Sequence, residues 1–420
     1  MKKCLIMLTS EYPFGKMESF IESEISSHPA NFDKTVILAI DLQKNAVQTR
    51  ELPPEVDRFN VARVNRKIGR LSDVALGSLG LFKSDEYYKS DKSAIGNSFP
   101  KKVFHKYFCQ RAKREFGYCV DALGGYDFSE FDEVVIYSYW MFVSALIGIK
   151  LKEKISESNP DVHLVTRCHG YDVYEEINIL KYLPMREYIF KNCDRIFPCS
   201  EYAEDYLKEK YPLYSNKISR SHLGTPDFGE KTFKKDAGKL NIISCSNMVE
   251  LKRINKIIEA LSLLDNSAYN ITWTHVGDGV LRDKLVSLAD EKLKNIRFSF
   301  TGQLSNKAVY DLYLKNNFDL FINTSSTEGL PVSIMEAISF GTPVIATDVG
   351  GVSEIVKNDC NGKLIDKDFS IAELADLIKL FAEADTEQIS VFRKNARLIW
   401  SENFDAKVNY SNFSKIISEL

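Results

Sequence analysis

No C-x-x-C spacing occurs among the eight cysteines, Cys4, Cys109, Cys119, Cys168, Cys193, Cys199, Cys245 and Cys360. This excludes a zinc knuckle and a thioredoxin-type redox pair. Several lie in apolar runs such as VTRCHG and IISCSN, the usage of buried, reduced thiols in a cytosolic protein. No apolar run is long enough for a bilayer. The longest weakly charged stretch, 134–149, is interrupted by Ser138 and Ser144 and falls short of the roughly 20 residues a spanning helix needs. The apolar segment after Lys2 and Lys3 ends by Leu8, meets Glu11 and lacks a small-residue cleavage site, so it reads as a first strand rather than a signal peptide. Neither charge sign dominates. The 55 Lys plus Arg against 58 Asp plus Glu leave a net charge of -3, which argues against a globally basic nucleic-acid binder and leaves room for a local basic patch. Without G-x-S-x-G, hydrolysis on a nucleophile elbow has no support. What remains is an ordinary globular composition, and 420 residues allow two or three domains.

Short apolar runs alternate with longer mixed ones. KKCLIMLTS, KTVILAI, DEVVIYSY, VHLVTRCH and DRIFPCS occupy the first half, and LNIISCS, NITWTHVG, IRFSFTG, FDLFINTS and TPVIATD the second. Each is apolar on both faces, as strands buried in a parallel sheet are. INKIIEALSLL, VLRDKLVSLADEKL and SNKAVYDLYLK between them read as helices. The alternation predicts an α/β fold with helices on both faces of each sheet. The stretch 226–238 carries Pro, Gly and mixed charge without an apolar face, as a linker does. The expected domains are 1–225, 239–400 and a C-terminal helix at 401–420 that returns to the first domain.

The most informative stretch is 323–351, NTSSTEGLPVSIMEAISFGTPVIATDVGG. A strand ends, a polar turn follows, Pro331 suits the first helical position, and Gly341 ends the helix. Backbone N–H groups of Gly329, Leu330, Val332 and Ser333 would converge at the helix start. They would form an anion site suited to a diphosphate at the carboxyl edge of a parallel sheet. Glu328 lies in the turn, and Glu336 follows Val332 by four residues on the same helix face. A carboxylate accepts two hydroxyl donors, as from a ribose diol or sugar ring. On spacing alone, a helix-capping Glu328 and a solvated Glu336 explain the pattern equally well.

The segment E-G-L-P-V-S-I-M-E resembles the E-x7-E motif of retaining glycosyltransferases of family 4, which have the GT-B fold. The likeness runs through SSTEGLPVSIMEAISFGTPVIATDVGGVSEIV. It implies two Rossmann-like, doubly wound parallel-sheet domains facing a cleft, the first binding acceptor and the second sugar nucleotide. It also implies that Glu328 faces the donor sugar and Glu336 the ribose. SCSNMVELKRINKIIEAL is similar to the family's strand, loop and helix that hold the donor diphosphate. Lys252 matches the family lysine there. Asn247 stands where the family has an arginine, and Arg253 is the expected replacement. Gly277 lies in the V-G-D-G turn, and Gln303 of T-G-Q-L is the expected base contact. In the first half, Gly15-Lys16-Met17-Glu18 occupies the place of a G-G-x-E loop, with Lys16 in place of the second glycine. Gly15 is expected to allow close approach of backbone to phosphate. The E-S-F-I run from Glu18 resembles exopolysaccharide and colanic-acid-type transferases. His169 of H-G-Y-D stands where the family places a histidine toward the donor sugar, with Asp172 supporting the loop and Trp140 reading as core.

The implied activity is retaining transfer from a nucleoside-diphosphate sugar, UDP- or GDP-linked, to a hydroxyl of a surface polysaccharide or glycolipid acceptor, with Glu328, His169 and Lys252 catalytic. No cofactor and no metal is expected, since amides, Lys252 and Arg253 suffice in principle for a diphosphate. A sugar-nucleotide epimerase, a phosphorylase or a silent sugar-nucleotide-binding protein shares the fold. The run 99–114 holds Lys101, Lys102, Lys106, Arg111, Lys113 and Arg114 without an acid, and 63–70 adds four more basic residues. This suits either an anionic membrane face or an ordinary solvated helix. The expected location is cytoplasmic, with peripheral contact at the inner membrane face.

Overall fold

The computed structural model describes residues 1–15, 18, 20–64, 66–78, 85–230, 233, 238–264 and 269–420. Lys16 and Met17 of the loop after the first strand, and residues 231–232 and 234–237 of the expected linker, lie outside the described residues. The chain divides into two compact units, one of residues 1–222 with 407–420 and one of residues 223–406.

In the first unit, β1 (Lys3–Thr9), β2 (Lys34–Ala39), β3 (Val56–Asn60), β4 (Glu133–Ser138), β5 (Val162–Cys168) and β6 (Arg195–Pro198) form one sheet. Its order is β3-β2-β1-β4-β5-β6, and every pairing is parallel. All six residues of β4 are buried, as expected for a central strand covered on both faces. The Ala406–Ile417 helix packs on this sheet. Its Phe413 ring lies 5.2 Å from Tyr137 and 5.1 Å from Phe197, and the buried Arg167 guanidinium sits 4.1 Å above it.

The second unit repeats the plan. It holds β7 (Lys239–Cys245), β8 (Asn270–Val276), β9 (Arg297–Phe300), β10 (Leu320–Asn323), β11 (Val344–Thr347) and β12 (Gly362–Ile365). The order is β12-β11-β10-β7-β8-β9, again all parallel. Leu240, Ile242, Trp273, Leu320 and Ile345 belong to its core. The Ile254–Ser262 helix buries Ile254, Ile257, Ile258 and Leu261, an i, i+3, i+4, i+7 stripe. In each sheet the chain reverses direction of winding at the middle pair, β1/β4 and β7/β10. A crevice opens there at the carboxyl ends of the strands.

Two strands were not anticipated. β3 (VDRFN) is half-exposed and charged, and β12 (GKLI) is short and opens on glycine. Both lie at a sheet edge and lack the apolar run by which the opposite edges, β6 and β9, were recognised. The expected boundaries also move. Thr225 donates its N–H to Phe404 O at 2.9 Å and accepts from Ala406 N at 3.1 Å, and Trp400 Nε1 donates to Thr225 Oγ1 at 2.7 Å. These bonds place 223–228 and 401–406 with the second unit, so the division falls after His222, not Thr225, and the return begins at Lys407, not Ser401.

Candidate active site

Polar residues from several strand ends of the second unit converge on a cleft of about 300 Å³. β7 delivers Cys245 and then Ser246 and Asn247, β8 delivers Val276 and Gly277, and the exit of β9 delivers Gln303. The loop after β10 brings Glu328, and the Val332–Ser339 helix brings Val332, Ser333 and Glu336. The sheet order makes this meeting possible, because β7 and β10 are neighbours at the switch point. An open groove of about 610 Å³ on the Ile371–Glu383 and Thr386–Asn403 helices is larger. Its Lys363 and Lys379 are ion-paired with Asp359 and Glu383, and no convergent catalytic set lies in it.

Lys252 and Glu328 meet in the smaller cleft. Lys252 Nζ donates to Glu328 Oε1 at 2.6 Å, and Asn323 Nδ2 donates to the same oxygen at 3.1 Å. The two loops are strapped together. Ser326 N–H bonds Leu251 O at 2.8 Å, and Thr324 Oγ1 bonds the carbonyls of Lys252 and Arg253, each at 3.1 Å. Behind them, Gly350 has φ +58°, and a Cβ there would fall 2.0 Å from Glu328 O. Only glycine lets the 349–351 turn brace the glutamate loop so closely.

Arg253 is a correction. Its Nε donates to Thr324 O at 2.6 Å, Nη1 to Lys367 O at 2.7 Å and Nη2 to Ser325 O at 3.1 Å, and its guanidinium lies 5.2 Å from the Phe369 ring. The fork expected on the diphosphate is committed to three carbonyls, so Arg253 is a clamp of the glutamate loop. Burial holds its proton affinity below the ordinary arginine value. Asn247 is exposed and lines the cleft, with an amide where the family has a charge. Asp366-Lys367-Asp368 has D-x-D spacing, and Asp366 Oδ1 there accepts the Asp368 N–H at 2.7 Å in a turn. Among the described residues no group of three or more His, Cys, Asp or Glu is arranged to hold a metal ion.

Pro331 is the N-cap rather than the first helical residue, with φ -74° and ψ 109°. Val332 and Ser333 therefore open the helix at the cleft, and the carbonyl of Pro331 accepts from Ile334 and Met335. Leu330 is buried, while Gly329 is partly exposed and its carbonyl accepts from Gly351 N–H at 2.8 Å. Glu336 is 7% exposed. Burial pushes its carboxyl up to about 7, against the hydrogen bond donated by Tyr310. Gly277, at φ +139°, lets Ser246 O approach where a Cβ would stand 2.0 Å away. Gln303 is exposed at the rim.

Tyr310, Asn323 and Cys245 were missed. Asn306, Val309 and Tyr310 share one helix face by their i, i+3, i+4 spacing, and Asn323 and Cys245 are the last residues of neighbouring strands. Those were the available signals.

Gly15 and His169 belong to the first unit. A Cβ on Gly15 would meet Glu11 Cβ at 2.5 Å, so its close approach is to the Glu11 side chain. The buried Glu18 carboxylate gathers four donors. Ser10, Glu11 and Tyr12 N–H reach it at 2.9, 2.6 and 2.8 Å, and Trp140 Nε1 at 2.5 Å. The His169 ring lies 4.9 Å from Tyr139 and 4.7 Å from Trp140. Burial, with Arg167 nearby, lowers it to about 3, leaving a neutral imidazole whose Nε2 has no partner among the described residues. Asp172 accepts the N–H groups of His169 at 2.5 Å and Met141 at 2.7 Å, fixing both backbones.

Residues 228–399 match the family model described as Glycosyl transferases group 1. The chain is 26% identical over 267 residues to WcaL of Escherichia coli (strain K12), whose description assigns it provisionally to colanic acid biosynthesis as a glycosyltransferase. That match covers 61% of this chain and 64% of WcaL. It is 30% identical over 248 residues to protein CapJ of Staphylococcus aureus, covering 57% of this chain and 61% of CapJ. The chain thus spans less than two thirds of either relative. Among solved structures, HepE of Anabaena in complex with UDP-glucose is similar over 100% of both chains, with a TM-score of 0.64 at 17% identity. This likeness shows the two-domain GT-B fold.

Proposed function

We propose, from the match of residues 228–399 to the glycosyl transferases group 1 model, that this chain transfers a sugar, with retention, from a nucleoside-diphosphate sugar to a hydroxyl of a growing exopolysaccharide or lipid-linked glycan. The observation that carries the reading is the preformed Lys252–Glu328 pair at the start of the Val332–Ser339 helix, with Glu336 one turn in. In this reading the diphosphate lies on the N–H groups of Val332 and Ser333 and beside Lys252, where helix dipole and ammonium stabilise the charge that grows on the leaving group. Glu336 accepts from the ribose diol, and Gln303 faces the base. Glu328 faces the sugar, held there by Lys252 and Asn323. The anomeric bond loosens through an oxocarbenium-like state, and the acceptor attacks from the same face, its proton passing to the leaving phosphate. No metal takes part in this scheme.

WcaL, described with colanic acid biosynthesis, supports an exopolysaccharide context, and HepE bound to UDP-glucose supports a UDP-linked donor, with a GDP-linked donor as the other arm of the test. A cytoplasmic site at the inner membrane face is part of the proposal. Among the described residues, no helix is long and apolar enough to cross a membrane. Thermal-shift measurement with UDP-, GDP- and ADP-linked sugars tests the donor. A ligand at about 100 times its Kd stabilises by about 2.7 kcal/mol. A shift for one nucleotide, followed by retained anomeric configuration in the product, supports the reading. Absence of any shift, or a changed sugar released without acceptor, contradicts it.

A further inference from the structure

His275 is fully buried in β8 and stands in a one-way chain of hydrogen bonds. Trp273 Nε1 can only donate, and it reaches Ser244 Oγ at 2.9 Å. Ser244 Oγ lies 2.8 Å from His275 Nδ1, and His275 Nε2 lies 3.2 Å from the carbonyl of Ser246. A carbonyl can only accept, so Nε2 carries the ring proton. Burial lowers His275 to about 4, against the hydrogen bond to Ser246, and a neutral ring has no second proton for Nδ1. The Ser244 hydroxyl therefore donates to Nδ1, and each member of the chain has a single role. The main chain of His275 braces another loop, since Thr301 N–H donates to its carbonyl at 3.0 Å on the way to Gln303.

The chain ends on the loop that lines the cleft with Ser246 and Asn247. Ser246 turns its N–H to Val276 O at 3.0 Å and its C=O to His275, both toward β8. The next peptide is trans, so the Asn247 N–H points opposite to the Ser246 C=O. Because β7 lies between β8 and β10, that N–H turns toward β10, the side from which Glu328 enters the cleft. Among the described residues it has no acceptor, whereas the N–H groups of Met248 and Val249 bond Asp278 O and Asn247 O. Asn247 is exposed, and an open main-chain N–H at such a place is satisfied by water or by a ligand. Beside Lys252 the ligand it suits is an anion. A flipped peptide would present the Ser246 carbonyl to that anion instead. We propose that His275 is a positioning residue of the donor site, and that by holding Ser246 O it aims the Asn247 N–H at the diphosphate as a further donor. This rests on the proposed reading of the cleft as a sugar-nucleotide site.

The test uses the full chain with UDP, GDP, ADP and inorganic pyrophosphate as probes. In amide NMR of the wild type, the Asn247 N–H is expected to shift and to gain exchange protection with the bound probe. Nitrogen–proton correlations of the His275 ring are expected to show the proton on Nε2 with or without a probe. His275→Leu removes the donor at similar volume and is expected to lower probe affinity about tenfold, with the Asn247 response lost. His275→Gln keeps a side-chain donor and is expected to restore most of that affinity, a rescue that loss of packing alone would not give. Ser244→Ala cuts the chain without touching the ring and is expected to lower affinity about severalfold. It keeps the proposal testable if His275→Leu does not fold. A probe that binds the wild type and both of these variants alike, an Asn247 N–H indifferent to the bound probe, or a ring proton on Nδ1 overturns the proposal and leaves the sugar-nucleotide reading standing. A wild type that binds none of the probes overturns that reading, and the donor role of Asn247 with it.

Discussion

The Lys252 ammonium donates to Glu328 Oε1 across 2.6 Å, joining residues 76 positions apart in sequence. The same oxygen accepts from Asn323 Nδ2, so the carboxylate is aimed by two donors from different strand ends. Its orientation is a property of the folded second unit.

Lys252→Ala and Glu328→Ala are each expected to lower kcat/KM for transfer by about 100-fold or more, the scale of losing a preorganised charge at a reacting centre. Because the two residues touch, the double variant should lose less than the product of the single losses. Circular dichroism and the thermal midpoint check that the fold persists. Near-normal turnover in either single variant contradicts the assignment.

Glu336 supplies a pH dependence. Its folded value of about 7 lies above the ordinary 4.5. The stability it contributes is full below the unfolded value, and it is lost as pH rises through about 7. The whole amounts to on the order of 3 kcal/mol. Glu336→Gln should flatten that part of the stability-pH curve. Nucleotide binding should run the other way, because ribose hydroxyls donate to the ionised carboxylate. Affinity should rise with pH through about 7 with release of a proton, read by calorimetry in two buffers of different ionisation enthalpy. The groups that face Glu336 are Tyr310, Tyr313 and Cys245, and Cys245 in turn feels Lys252. An affinity independent of pH across this window contradicts the role.

Tyr310→Phe removes the hydrogen bond that lowers Glu336. The midpoint of the affinity-pH curve should move upward, and the donor KM at neutral pH should rise about severalfold with kcat nearly unchanged. In a Glu336→Gln background the pH shift should vanish. A shift that survives there would assign the effect to another group.

Arg253→Lys tests clamp against ligand. A lysine cannot reproduce a fork on three carbonyls, so the thermal midpoint should fall by the equivalent of about 1–3 kcal/mol. Nucleotide affinity of the folded variant should change far less than in Lys252→Ala. The opposite ranking would return Arg253 to the diphosphate.

Gly277→Ala should destabilise the second unit strongly, since its φ of +139° is strained for alanine and the Cβ would stand 2.0 Å from Ser246 O. Wild-type stability would mean that the 246–248 loop yields.

Much of this was legible because burial on both faces leaves a mark on composition. The runs at β1, β2, β4 and β5, and at β7, β8, β10 and β11, are continuous apolar stretches since helices cover them on either side. The edge strands β3 and β12 lack such a run and escaped that recognition. Glu328 and Glu336 were readable by resemblance, because their spacing within one loop and helix is local, and Lys252 was readable from its own strand, loop and helix segment after β7. The contact that requires glycine at Gly15 was not legible, since a Cβ there would meet the side chain of Glu11, four residues earlier.

Arg253 shows where the sequence stops. A basic residue next to Lys252 carries the same charge whether its fork meets a phosphate or three carbonyls. The choice was made by Thr324, Ser325 and Lys367, brought from two other loops. Arg111 and Arg114 repeat the lesson, as basic residues in an acid-free run whose acids, Asp41 and Asp73, come from elsewhere. The order of short apolar and amphipathic segments determined the two α/β units and the glutamate loop, because periodicity and turn chemistry act over neighbouring residues. Tertiary structure alone decided which charges were spent inside and which faces were left outside, because hydrogen-bond partners and burial are set by contacts between residues far apart in the chain.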